Sequence, residues 1–162
     1  MSERESPYVR ELDRLYEDAS YSAQTYFEAA KSAEAWGKSM VFGPALASAL
    51  ASFLVALGES KQWGAVGAVA GAIAATAAFL GADRKANSLK DTARKYTALR
   101  HSARLEKELS ASRSDDDLDA VVRGLREQYS LIVSTNEVVA SRFFKKAHTR
   151  IGAGVLKYEV DD

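Results

Sequence analysis

Two uncharged runs, SMVFGPALASALASFLVALG (residues 39–58) and WGAVGAVAGAIAATAAFLGA (residues 63–82), decide the fold of this 162-residue chain. Each run has 20 residues. A helix of that length is about 30 Å long, which matches the hydrocarbon thickness of a bilayer. Only ESKQ (residues 59–62) separates the two runs. The pattern therefore predicts a transmembrane helical hairpin with spans at residues 39–58 and 63–82.

The second run is the weaker of the two spans, because 13 of its 20 residues are Gly or Ala. Its larger apolar side chains contribute only about 0.3 to 0.6 kcal/mol each to membrane insertion. A hairpin buried inside a soluble helical protein, or between the subunits of a soluble oligomer, would also lack charge. However, each flanking helix has a single apolar stripe and cannot enclose two wholly apolar helices. The membrane interpretation is therefore favoured. The larger apolar residues of the second run are Val66, Val69, Ile73, Phe79 and Leu80.

Basic residues flank the hairpin on both sides, although the whole chain has 22 basic and 22 acidic residues. The connector holds only Lys61 beside Glu59. Because cytoplasmic loops are enriched in Lys and Arg, both termini are predicted to be cytoplasmic, in a multi-pass membrane protein. Nucleic acid is not an expected partner, since the chain is neutral and its aromatic residues are not interleaved with the cations. The flanking cations are Lys31, Lys38, Arg84, Lys85, Lys90, Arg94 and Lys95.

The segments on either side of the hairpin have the pattern of amphipathic helices. Residues 1–38 form one long helix that starts at Ser6 and Pro7, with apolar residues at spacings of three and four. Pro44 is expected to kink the chain and to separate this helix from the first span. Residues 83–162 supply further helices. The prediction is an all-α fold, in which a two-transmembrane hairpin (39–82) carries a cytoplasmic helical bundle formed by the N- and C-terminal helices.

Two further helix starts are predicted in the C-terminal segment. Ser114, followed by three aspartates, is typical of an N-cap with acidic residues in the first turn. The aspartates lack the ligand spacing of a calcium loop. STNE (residues 134–137) has the form of a capping box and predicts the start of a final helix that ends near Gly152.

Small and hydroxyl-bearing residues mark the expected packing faces of the hairpin. Gly67 and Gly71 form a GxxxG pair that Ala75 extends, and Ser48 and Ser52 lie on the small face of the first span. A helix with so little side-chain bulk needs cover from the first span and from neighbouring subunits, so a homo-oligomer is expected. The candidate pore-lining residues are Ser48, Ser52 and Thr76, and the candidate interfacial anchors are Trp36, Lys38, Trp63, Arg84 and Lys85.

The sequence contains none of the common catalytic motifs. There is no Walker phosphate loop, no HExxH zinc motif and no dinucleotide-binding glycine pattern. His101 and His148 are isolated, and the absence of cysteine excludes disulfides and thiolate metal sites. A non-enzymatic protein without a metal or cofactor is expected.

The order of these elements resembles the SLATT family, the SMODS- and SLOG-associating two-transmembrane effectors of bacterial conflict systems. The resemblance lies in the N-terminal helix with Tyr26 and Ala30, the two spans, KYTAL (95–99), EQY (127–129) and FFKKAH (143–148). It implies a pore-forming or membrane-disrupting effector of antiphage defence, located in the bacterial inner membrane. A separate sensor or nucleotide-signalling partner would control it. The alternative is a non-conducting membrane tether with a helical partner-binding module.

Overall fold

A computed structural model describes residues 6–58, 60–79, 81 and 84–154. All regular structure in these residues is helical, which confirms the predicted all-α class. Glu59 of the connector, Leu80 and Ala82 of the predicted second span, and the predicted tail from residue 155 lie outside the described residues. The helices are α1 (Pro7–Ala56), α2 (Gln62–Phe79), α3 (Arg84–Leu109), α4 (Asp115–Thr135) and α5 (Ser141–Gly152), with a 3₁₀ turn at Ser110–Ser112 after α3.

The first helix is longer than predicted, because it does not end at the proline. α1 is 50 residues long and contains Pro44 in its interior. Proline removes one backbone donor and crowds the preceding turn, but it does not end a helix that extends for many residues on both sides. One helix therefore contains both the predicted soluble segment and the first predicted span, without a break at Pro44. The kink expected at Pro44 stays a prediction.

The chain divides into two compact units, which we call the helical unit and the hairpin unit. The helical unit comprises Met1–Ala29 and Leu89–Asp162, and the hairpin unit comprises Ala30–Ser88. The predicted hairpin spans residues 39–82, and the hairpin unit extends beyond it at both ends. Small residues outside the two uncharged runs are buried as well, namely Ala30, Gly37 and Ala86.

Four helical segments pack around the core of the helical unit: the first part of α1, α3 from residue 89 onwards, α4 and α5. The predicted stripe of α1 is buried, and Leu12 and Leu15 are among the largest fully buried side chains. Burying a leucine stabilises a fold by roughly 1.5 to 3 kcal/mol, so this stripe is a main source of the stability of the unit. The other buried apolar residues described in this unit are Ala19, Ala23, Tyr26, Ala29, Leu89, Ala93, Tyr96, Leu99, Ala103, Leu118, Val122, Leu125, Ile132 and Ala147.

The helix starts in the helical unit agree only in part with the sequence patterns. Ser114 caps α4, because its Oγ accepts a hydrogen bond from the backbone N–H of Asp117 at 3.2 Å. The capping box at residues 134–137 is wrong, since α4 continues to Thr135 and α5 begins at Ser141. Asn136 instead ends α4, where its Nδ2 donates to the carbonyl oxygen of Ile132 at 2.5 Å.

Candidate functional site

The hairpin unit exposes most of its large apolar side chains. Two helical stretches, one in α1 and one that begins with α2, are long and apolar enough to cross a membrane, and only 6% of the most apolar 18-residue window in each is buried. Among the described residues, the uncharged runs therefore keep most of their surface exposed. The apolar side chains that are more than half exposed here include Phe42, Leu46, Leu50, Phe53, Leu57, Val69 and Phe79.

The two helices of the hairpin contact each other along a seam of small residues. A Cβ atom placed on Gly67 would lie 3.2 Å from the Cβ of Ala51 and 3.4 Å from the carbonyl oxygen of Ser48. A Cβ on Gly71 would lie 3.1 Å from the Oγ of Ser48. Since Gly67 faces residue 51 and Gly71 faces residue 48, the helices are antiparallel. The GxxxG pair therefore serves close packing inside one hairpin.

Ala75 does not belong to this seam, although it extends the GxxxG pattern in sequence. Ala74 is buried and Ala75 is exposed. At 100° per residue, a position seven residues after Gly67 lies about 20° from it, whereas a position eight residues later lies about 80° away. Helix geometry therefore assigns the contact to Ala74. Ser52 is exposed at the edge of the seam, with its Oγ 3.7 Å from a Cβ built on Gly67.

The three hydroxyl side chains proposed to line a pore lie in different surroundings. Ser48 is half-buried and faces Gly71, whereas Ser52 and Thr76 are exposed. Ser52 Oγ donates to the carbonyl oxygen of Ser48 at 2.9 Å, and Thr76 Oγ1 donates to that of Ala72 at 2.8 Å. Such bonds satisfy a hydroxyl within its own helix, which makes it tolerable in an apolar environment.

The predicted interfacial anchors are all exposed. Trp36 and Trp63 are 68% and 42% exposed, and the side chains of Arg84 and Lys85 are also exposed. Lys38 Nζ lies 2.7 Å from Glu34 Oε1, one turn earlier in α1. Amphipathic side chains of these types are typical of the boundary between lipid and water.

The helical unit contains a buried carboxylate that the sequence patterns did not indicate. The side chain of Glu28 in α1 has no exposed surface, and its two oxygens lie 2.8 Å from Lys146 Nζ and 2.7 Å from Arg150 Nη1 of α5. Gln24 Nε2 also donates to Glu28 Oε1 at 3.3 Å. A buried carboxylate needs such partners, because desolvation without them is very costly. In the sequence, the cluster is indicated only by Glu28 itself, which lies in the Ala-rich part of α1, and by the cations of α5 more than a hundred residues later.

Three tyrosines of the helical unit also meet. The ring of Tyr96 lies 5.6 Å from that of Tyr26 and 5.8 Å from that of Tyr129. Tyr26 Oη donates to the carbonyl oxygen of Glu137 at 2.7 Å, in the segment between α4 and α5. Burial raises the pKa of Tyr26, with the charge of Glu137 and Tyr129 adding to it. Burial and electrostatic repulsion from Tyr26 and Tyr129 raise the pKa of Tyr96 to about 12.

The two histidines lie next to an aromatic ring and a guanidinium group. His148 stacks on Tyr21 with ring centroids 5.7 Å apart, and His101 Nε2 lies 3.2 Å from Arg100 Nη2. Within the described ranges, no group of three His, Asp or Glu side chains is placed to hold a metal ion. Comparison of the chain with protein-family models, with curated proteins and with solved structures finds no match.

Proposed function

We propose that this chain is a non-enzymatic membrane effector, whose hairpin spans the bacterial inner membrane with both termini in the cytoplasm. In this proposal the hairpins oligomerise and permeabilise the bilayer, as the resemblance to the SLATT family implies. The observation that carries the proposal is the exposure of the uncharged runs, of which only 6% is buried in each 18-residue window. Soluble monomers rarely expose contiguous apolar patches larger than a few hundred Å².

A lipid environment suits both the exposed apolar surface of the hairpin and its seam of small residues. Most large apolar side chains of the hairpin are exposed, so in a membrane they would contact acyl chains. The small residues of the seam let the two helices approach closely, and such close packing holds helix pairs together in membranes. The hydroxyl groups of Ser52 and Thr76 donate to carbonyl oxygens of their own helices, so these two donors stay satisfied in lipid.

A permeable pathway requires several copies of the chain. A single hairpin has only its inter-helix seam, which Ala51, Gly67 and Ala74 fill. Neighbouring copies would place exposed hydroxyls such as Ser52 and Thr76 around a common axis. The helical unit would then receive the signal of a separate sensor or nucleotide-signalling partner and would set the assembly state of the hairpins.

Leakage of dye from liposomes tests this proposal. Purified protein is reconstituted at increasing protein-to-lipid ratios, and leakage is expected to rise more steeply than in proportion to protein, because the pathway needs several copies. Gly71→Leu places a large side chain against Ser48 and is expected to lower leakage at least about tenfold, since close packing of the pair is lost. Ala72→Leu places the same leucine side chain at an exposed position of α2 and is the matched control.

Intact liposomes at demonstrated incorporation, with expression that does not harm bacterial cells, would contradict permeabilisation. The second candidate function would then stand, namely a membrane tether whose helical unit recruits a partner. The intrahelical bonds of Ser52 and Thr76 favour this candidate, because hydroxyls that donate to their own helix have only acceptor sites left for water. Gly71→Leu would leave recruitment by a tether intact.

Extraction of membranes with carbonate separates both candidates from a soluble oligomer that buries its hairpins between subunits. An integral hairpin stays in the washed membrane pellet, whereas a soluble assembly moves to the supernatant. Recovery of the full chain in the supernatant as a defined oligomer would refute both membrane functions.

A further inference from the structure

The last described helix, α5, is basic and amphipathic. Its sequence SRFFKKAHTRIG contains four cations and no acidic residue. Its N-terminal half carries the adjacent aromatic residues Phe143 and Phe144, and Phe144 is about half exposed. Helices with cations on one side and aromatic or aliphatic residues on the other are typical of segments that lie in the surface of an anionic membrane. The four cations are Arg142, Lys145, Lys146 and Arg150.

Few apolar contacts hold α5 in the helical unit. Ala147 is its only fully buried residue, and a buried alanine contributes little because its apolar surface is small. Phe144 and His148 rest against Tyr21, with ring centroids 6.1 and 5.7 Å apart. Phe143 and Ile151 are partly buried, and the ion pairs of Glu28 add a polar contact. A helix held by so few fully buried apolar groups belongs to the less stable part of a structure.

Among the described residues, the docked helix α5 carries more positive charge than the Glu28 carboxylate neutralises. Glu28 provides one negative charge for Lys146 and Arg150, whose side chains are both partly exposed. Arg142 and Lys145 are exposed as well. If α5 leaves α1, the carboxylate of Glu28 is no longer covered by it and can be hydrated. The cations of α5 then become available for other anions, such as phosphate groups.

We propose that α5 is an exchangeable membrane-binding helix, in which Lys146 and Arg150 exchange the Glu28 carboxylate for the phosphates of anionic lipid headgroups. Phe143, Phe144 and Ile151 would enter the interface between headgroups and acyl chains. This inference requires the membrane attachment proposed above, which brings the helix to a lipid surface, but it does not require permeabilisation. In this proposal the Glu28 carboxylate competes with the lipid phosphates for the cations Lys146 and Arg150.

The full chain in lipid nanodiscs allows a direct test. Because the chain contains no cysteine, a label attached to an introduced cysteine reports on that position alone. Spin labels at Asp18→Cys in α1 and Thr149→Cys in α5 report the distance between these helices. Both positions are exposed. In phosphatidylcholine discs we expect one narrow distance distribution. With roughly 30% phosphatidylglycerol we expect a second, longer distance, since anionic headgroups attract cations close to the surface.

Contact with lipid is measured separately, with a fluorophore at Thr149→Cys and brominated phosphatidylglycerol as quencher. Quenching of the parent chain is expected to exceed that in uncharged brominated lipid about fivefold. Glu28→Gln should reach the longer distance at a lower anionic fraction, because the competing charge is gone. The double variant Lys146→Gln and Arg150→Gln should lose most of the quenching. Lys107→Gln removes a cation that pairs with Asp13 elsewhere in the helical unit and should behave like the parent.

Three outcomes would overturn the proposal. One is an unchanged distance in anionic discs for both the parent chain and Glu28→Gln. Another is equal quenching of the parent and the Lys146 and Arg150 double variant. The third is release of α5 by free glycerol phosphate in neutral discs, which would indicate a soluble anion in place of lipid. Failure of membrane attachment is recognised independently, by the lack of quenching of Trp36 and Trp63 by brominated phosphatidylcholine in neutral discs.

Discussion

Replacement of Tyr96 by phenylalanine is expected to make the helical unit less sensitive to alkaline pH. Tyr96 is 3% exposed, and burial, followed by repulsion from Tyr26 and Tyr129, raises its pKa from 10.0 to about 12. A neutral phenol in the folded state therefore stabilises the fold fully below pH 10. This contribution is lost as the pH rises through about 12, because the unfolded chain ionises first.

The size of the effect follows from the two pKa values. At pH 11 an unfolded tyrosine with a pKa of about 10 is about 90% ionised, whereas Tyr96 in the folded state is about 10% ionised. The free energy of unfolding then falls by about 1.4 kcal/mol between pH 8 and pH 11 from this residue alone. Tyr96→Phe lacks the ionisable group, so its loss over the same interval should be smaller by that amount. Contributions from Tyr26 and from the lysines are common to both chains and cancel.

Urea titration of the full chain in detergent micelles measures this difference. All seven tyrosines fall within the residue ranges of the helical unit, whereas both tryptophans fall within the hairpin unit. Near-UV circular dichroism of tyrosine therefore follows the helical unit, and tryptophan fluorescence follows the hairpin unit. The difference in phenolate absorbance between the two chains should also titrate near pH 12. Equal losses of stability in the parent and Tyr96→Phe would refute the assignment of a buried, neutral phenol.

The same titration tests three further sites, with a control or rescue variant at two of them. Leu12→Ala should lower the free energy of unfolding by about 2 to 5 kcal/mol, because it leaves a cavity. The control Val138→Ala, at a position that is 97% exposed, should change it by less than about 0.5 kcal/mol. Equal effects of the two substitutions would contradict the described core. Tyr26→Phe should cost about 0.5 to 1.5 kcal/mol, since it removes the donor to the carbonyl of residue 137, and an unchanged stability would argue against that bond. Ser114→Ala should cost about 0.5 to 2 kcal/mol through loss of the N-cap, and Ser114→Asp should restore most of it if capping is the cause.

The local patterns of the sequence were sufficient for the helical class, for the core stripe of α1 and for the cap at Ser114. Each of these depends on interactions within a few residues, such as a side-chain oxygen that reaches the next turn. The same local reasoning failed at residues 134–137, where the motif suits a helix start. There a side chain from α3 intervenes, because Thr92 Oγ1 donates to Asn136 Oδ1 at 2.6 Å while Asn136 caps α4.

The composition of residues 39–58 and 63–82 by itself determined that they form apolar helices, because length and lack of charge are properties of the chain alone. Only the tertiary structure decided which small residues meet in the seam, since the choice of Ala74 over Ala75 depends on how two helices are rotated against each other. The pairing of Glu28 with Lys146 and Arg150 was decided in the same way. Groups more than a hundred residues apart become partners only when packing removes water from between them.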